Sequence, residues 1–380
     1  MKCCTRRIAF FTLLFSSLCF SEGARYLVIT PDSFYDAILP LTEWKTKKGM
    51  KAKVAKLSQT GSSAYQIRSY IIDAYNDWDP RPEYLLLVGD DNIIDMPSHG
   101  GAYESDNYYT DIEGDLYNEI IPGRFPASNV SQVNTMVSKT LGYERTPFMD
   151  DTLWFRKGTV IVYDGEPSDS IYWGNAHGVA HLMGHSGFIE IDTFSRTGGD
   201  NKWDVISAVN EGRSYVMYRG DGTGYWYSPF NINPAGYDSS YFYNGFKLPI
   251  VGAFTCYTIT AGGYSWLRAG NADEPKGAVG YVGTTTIQTS PLGARKRGAL
   301  CMGFFGSVFG RTSLNTFGWA CENGRQKLYD EFVDSYEYNG LICLGDPELN
   351  LWTYTPESLS VSYPEVIQPG ETGVTVTVQN

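Results

Sequence analysis

The stretch YLLLVGD, residues 84–90, decides the fold. It is an unbroken apolar run closed by Gly89 and Asp90. A run of this kind fits a strand buried on both faces, as a parallel sheet requires, whereas a sheet with one wet face would alternate. Upstream, RYLVITP (25–31) and KAKVAKL (51–57) are also strand candidates. Between the three lie AILPLTEWKTKKGM (37–50) and AYQIRSYIIDAYNDW (64–78), whose apolar residues recur with helical spacing. The order β-α-β-α-β predicts a parallel sheet with helices on its faces. Downstream, VNTMVSKTLGYERTP (133–147) reads as another helix, with Pro147 at its end.

The pattern then restarts. KGTVIVYDG (157–165), FIEIDTF (188–194), YVMYRG (215–220), KLPIVGAFTC (247–256) and GAVGYVGTT (277–285) read as strands, and residues 171–188 and 202–212 as helices. The expectation is an α/β protein made of two tandem α/β halves with mainly parallel sheets, spanning 24–150 and 151–356. From residue 357 the texture changes. SLSVSYPEVIQPGETGVTVTVQN (358–380) alternates around a Pro-Gly turn and reads as the first hairpin of an Ig-like β-sandwich, truncated within 357–380.

The chain has 380 residues, a net charge of −12 and 15% aromatics. An acidic chain without a basic stripe excludes nucleic acid as the expected partner. Residues 1–23 read as a secretory signal: Lys2, Arg6 and Arg7 precede the apolar stretch 8–20, which is too short to span a bilayer. No other segment reads as a membrane span, so the expected location is secreted or at the cell surface. Of the seven cysteines, Cys3, Cys4 and Cys19 lie in the signal. The remaining four, Cys256, Cys301, Cys321 and Cys343, are too dispersed for a disulfide framework, and no CxxC pair suggests zinc.

Two strand ends concentrate the chemistry, YRGDG (218–222) and GAFTC (252–256). In open α/β sheets, sites form beyond the carboxyl ends of strands. A cysteine at such an end faces a crevice, and a following helix N-terminus favours a thiolate. Here the chain resembles the gingipain-type cysteine peptidases of the caspase-like clan. The resemblance is carried, in order, by YLLLVGD (84–90), SDNYYTDIEGDLYNEIIPGRFPA (105–127), GYERTP (142–147), LPIVGAFTC (248–256) and LGDPELNLW (344–352). It implies that Cys256 is the nucleophile, that Glu119 is the acid orienting a catalytic histidine, and that backbone amides around Gly220 and Gly222 hold the oxyanion. The family pattern at 220–222 is Gly-His-Gly, and Asp221 stands in the histidine's place.

Ordinary pKa values lie near 8.5 for a thiol, 6.5 for histidine and 3.9 for aspartate, so moving the thiol proton costs roughly 6 kcal/mol to Asp against roughly 3 to His. An ionised Asp221 also disfavours a thiolate beside it unless a cation compensates. Arg219 is close in sequence, but we expect it on the other side of the strand. Among the four histidines, His99 lies in a loop. His177, His181 and His185 share a helix face that reads as solvated, without the HExxH glutamate of a zinc site. No cofactor is required. Asp106, Asp111, Glu113 and Asp115 form an acid-rich loop that is a candidate for the structural calcium the resemblance implies. The arginine-cleaving relatives keep an acid shortly after GRF, and GRFPASNVSQV (123–133) has none. The expected function is a secreted cysteine endopeptidase acting on protein or peptide substrates. The alternatives are a non-catalytic relative whose crevice binds a peptide or glycan, and a surface module.

Overall fold

A computed structural model describes residues 21–98, 100–310, 316–357, 360–362 and 377–379. Residues 1–20 of the proposed signal and most of 358–380 therefore lie outside the described residues, whereas Ser21–Glu22 at its end pair in parallel with Trp78–Asp79. The expected α/β architecture is present as one ten-stranded sheet. Its strands are β1 (Tyr26–Thr30), β2 (Ala52–Lys56), β3 (Tyr84–Val88), β4 (Ile121–Phe125), β5 (Lys157–Val162), β6 (Glu190–Ser195), β7 (Tyr215–Arg219), β8 (Ile250–Phe254), β9 (Gly280–Thr284) and β10 (Leu341–Leu344). Across the sheet they run β2-β1-β3-β4-β10-β9-β8-β7-β5-β6. Every neighbouring pair is parallel except β9 with β10.

The halves are therefore not separate sheets. β10, late in the chain, is the seam between them and reverses the strand direction. The carboxyl ends of β7, β8 and β9 consequently share one edge with the amino ends of β4 and β10. β4 does not read as a strand from sequence because Pro122 and Gly123 interrupt it.

Helices cover both faces. α1 (Tyr35–Lys47), α3 (Val130–Glu144), α5 (Lys202–Glu211) and α6 (Tyr264–Arg268) pack on one side through Ile38, Leu41, Val133, Val205 and Trp266. α2 (Ala64–Asp77) packs through Ile67 and Ile71. α4 (Asp169–His185), α7 (Pro291–Phe309) and α8 (Phe317–Phe332) pack through Val179, Leu300, Phe304 and Leu328. α7 and α8 approach closely: a Cβ on Gly303 would lie 2.6 Å from the Asn323 carbonyl oxygen. α9 (Ser335–Gly340) leads into β10.

A buried ionic cluster ties the first half to the chain's late turn. The Lys45 ammonium lies 2.9 Å from Glu144, 2.5 Å from Asp346 and 2.7 Å from Glu348. Lys48 also reaches Glu144 and Glu348, and the Tyr26 hydroxyl donates to Asp346. Burial opposes the Lys45 charge, yet Asp346, Glu144 and Glu348 hold its pKa above the usual lysine value. Beyond the sheet, Ser360–Ser362 and Thr377–Gln379 pair antiparallel. That pairing agrees with the hairpin expectation and does not establish an Ig-like sandwich.

Candidate active site

The site is built by two adjacent strand tips. β7 and β8 are in register with Arg219 opposite Phe254. β7 ends at Arg219 and β8 at Phe254, so Asp221 and Cys256 each lie two residues past paired strand ends. The Thr255 hydroxyl donates to the Gly220 carbonyl at 2.6 Å, which locks the tips together beyond the ladder. Gly220 has φ 153°, and a Cβ there would lie 2.3 Å from Tyr163 Cβ, so no larger residue fits. After Cys256 the chain turns sharply, with Tyr257 at φ 34°, into the helical turn Ile259–Gly263 and then α6. Among the described residues, the amides of Asp221 and Cys256 have no backbone acceptor.

Cys256 is 7% exposed, but the groups at its sulfur are polar. Arg297 of α7 donates from Nη1 to Sγ at 2.9 Å, and the Gln288 carbonyl lies 3.6 Å from Sγ. Arg297 is itself fixed. Its Nη1 also reaches the Gln288 carbonyl at 2.9 Å, and its Nη2 reaches Glu337 of α9 at 2.9 Å. Glu337 accepts in turn from the Thr286 hydroxyl at 2.7 Å. Burial raises the Glu337 pKa above the usual carboxylate range, and Arg297 offsets this only in part.

Asp221 is half-buried and accepts from the Tyr172 hydroxyl of α4 at 3.1 Å. No hydrogen bond joins its carboxylate to Cys256. Burial, followed by the Asp221 charge, pushes the Tyr172 pKa up to about 12. The Arg219 guanidinium lies 5.0 Å from the centre of the same Tyr172 ring. The expectation that Arg219 points to the other side is therefore wrong: residues two apart on a strand share a face. Arg219 is fully buried with Asn175 and the carbonyls of Phe254 and Ala294 as partners, and burial lowers its pKa. Two guanidinium groups thus stand near the tips: Arg297 in contact with the Cys256 sulfur, and Arg219 against the Tyr172 ring whose hydroxyl binds Asp221.

The other candidates are placed elsewhere. Glu119 precedes β4, and β10 and β9 intervene before β8. Its carboxylate accepts the amides of Ile112 and Glu113 at 2.7 and 3.3 Å, and no hydrogen bond joins it to Asp221 or Cys256. The acid-rich loop does not fit a calcium site. Asp106 forms a two-pronged pair with Arg124, Asp111 accepts the amides of Gly114, Asp115 and Leu116, and Asp115 accepts that of Tyr117. Among the described residues the one acidic grouping of metal-binding size is Glu144, Asp346 and Glu348, and the Lys45 ammonium already bridges it.

His177, His181 and His185 line the exposed face of α4, as the spacing suggests. His99 lies outside the described residues. Cys301, Cys321 and Cys343 are buried and unpaired, and burial pushes the Cys301 pKa up to about 12. No helix among the described residues is long and apolar enough to cross a membrane.

Arg297 and Glu337 are the residues that sequence reasoning missed. A signal existed: Arg297 shares a helix face with Leu300, Cys301 and Phe304, so one charge of the run ARKRG (294–298) falls on an apolar stripe. A charge there must be buried and paired.

A doubly covered, mostly parallel sheet with a thiol at a strand tip, beside donor amides, defines a cysteine-peptidase-like protein. The comparisons give the family: residues 21–352 match the model of Peptidase family C25, and the chain belongs to that family. Gingipain R2 of Porphyromonas gingivalis is 26% identical over 366 residues, covering 90% of this chain and 48% of that protein. Lys-gingipain of the same species is 28% identical over 148 residues, covering 37% of this chain and 8% of that protein. The chain thus spans about half, or less, of the length of these relatives. The fold matches the crystal structure of the Arg-specific cysteine proteinase gingipain R with a TM-score of 0.84 at 22% identity, over 95% of this chain and 85% of that one.

Proposed function

We propose that this protein is an exported cysteine endopeptidase with Cys256 as its nucleophile. The observation that supports the reading most is that Cys256 and Asp221 lie two residues past the ends of the paired strands β8 and β7, with Arg297 in contact with the sulfur. In this reading Sγ bonds to the scissile carbonyl carbon, and the carbonyl electron pair moves to oxygen. Amides around Gly220, Gly222 and Cys256 stabilise that oxyanion. As the tetrahedral adduct collapses, the C–N bond breaks, and the proton that the thiol gave up to water returns to the departing amine by way of Asp221. Water then cleaves the thioester, releasing the acid and restoring the thiol. Glu119 has a supporting role only, through the amides of its own loop. Residues 126–133 hold no acid, so the reading includes no arginine preference.

A mixed peptide library incubated with the full chain tests this directly. Products with defined cleavage sites, absent for Cys256→Ala, are expected; a library left intact by both overturns the reading. Export rests on the basic start and the apolar stretch 8–20. Protein recovered from the medium should begin near residue 24, and a mature chain that retains residues 1–20 contradicts it.

A further inference from the structure

We propose that Arg297 is a catalytic residue of this site, the fixed counter-ion of a Cys256 thiolate. It supplies by permanent charge what a histidine base supplies by proton transfer. The inference rests on the reading of Cys256 as the nucleophile, and it answers the problem set by Asp221. A guanidinium stays protonated in proteins, so Arg297 cannot accept the thiol proton. It can stabilise the charge left behind when that proton departs to water and the sulfur keeps the electron pair.

Four observations place it in that role. Nη1 is in hydrogen-bond contact with Sγ. The Glu337 and Gln288 contacts fix the planar fork, so little side-chain order must be gained when charge develops. The Arg297 Nε is buried and without a partner, which is a cost that a purely structural arginine would be expected to avoid. Finally, the charged and titratable groups around the tips are Arg297 from α7, Glu337 from α9, Arg219 and Asp221 from the β7 end, Tyr172 from α4, and the Tyr257–Glu104 pair. Of these, only Arg297 makes a hydrogen bond to the sulfur. Arg219 adds a second positive charge, so the two guanidinium groups offset two of the three negative charges that Glu337, Asp221 and a Cys256 thiolate would carry.

Alkylation by iodoacetamide reads the thiolate directly: sulfur forms the C–S bond as iodide leaves. The full chain is treated at pH 6 and pH 9, and Cys256 modification is followed by peptide mapping. An ordinary thiol loses about 200-fold in thiolate fraction between these values. We expect the wild-type rate to fall less than about tenfold. Arg297→Gln alone strands the buried Glu337 charge, so Arg297→Gln/Glu337→Gln is the test variant, with its fold checked by circular dichroism. It should fall by about 200-fold. Arg297→Lys, which keeps the charge, should lie between. A wild-type profile like that of an ordinary thiol overturns the proposal, as does a folded double variant with the wild-type ratio. If no double variant folds, the wild-type profile decides: a fall near 200-fold between pH 9 and pH 6 overturns the proposal. Peptide cleavage is measured in parallel. Cleavage with a variant-insensitive ratio removes this inference and leaves the peptidase reading; the expected ratios without any cleavage do the reverse.

Discussion

Two buried cations in this molecule are held in opposite ways. Lys45 sits among Glu144, Asp346 and Glu348, with Lys48 at the rim. Arg297 has one carboxylate, Glu337, and turns its remaining reach toward a sulfur. The first cluster is closed: every charge in it answers another, and it clamps α1, α3 and the turn after β10. The second is open on the side where Cys256 lies. A buried cation enclosed by acids fixes a fold, whereas one that is short of negative charge can stabilise a charge that forms only during a reaction.

Breaking the open cluster at its reactive end gives the largest effect. Cys256→Ala should lower peptide cleavage by at least about a thousandfold with the urea midpoint unchanged. Breaking the closed cluster should do the converse. Lys45→Met leaves three carboxylates buried without their shared cation and should cost about 3–5 kcal/mol, read as a lower urea midpoint. The folded fraction should still alkylate at Cys256. In the proposed mechanism Asp221→Asn removes the proton carrier, and it should lower kcat about a hundredfold while leaving the alkylation of Cys256 intact. Equal loss of both would show that Asp221 shapes the crevice instead.

pH separates the clusters further. The folded Lys45 pKa lies above its unfolded value, so its contribution is complete below about pH 10.4 and is lost as pH rises through the folded value. In acid, burial holds Glu348 high and it protonates first. Burial also opposes the Glu144 charge, but Lys45 and Lys48 hold its pKa below the usual range. Its contribution is present above about pH 4.3 and lost as pH falls through the folded value. Thermal melts should therefore show the Lys45 contribution lost only at strongly alkaline pH, and Lys45→Met should make the alkaline decline shallower, the remainder coming from Tyr26, Tyr215 and Tyr218, whose pKa values burial raises. The smallest effect belongs to Tyr172→Phe, which deletes the bond to Asp221 and should cost about 1 kcal/mol in stability.

The sequence disclosed the closed cluster's elements more readily than the open one's. Strands such as YLLLV (84–88) are legible because burial on both faces leaves an unbroken apolar run. The positions of Cys256 and Asp221 at strand ends followed from the same runs. β4 was hidden by Pro122 and Gly123, and β10 by shortness, so the seam between the halves could not be read. α7 was obscured by its glycines, which lower helix propensity while permitting close packing against α8. Arg297 was lost with α7, and with it the cation that makes sense of Asp221.

The central claim is that Cys256 is a reactive nucleophile looking into a crevice. A peptidyl acyloxymethyl ketone added to the folded chain at neutral pH, followed by intact mass and peptide mapping, tests it. A single adduct on Cys256 is the predicted result. An unmodified chain, or an adduct on Cys301, Cys321 or Cys343 instead, would contradict it.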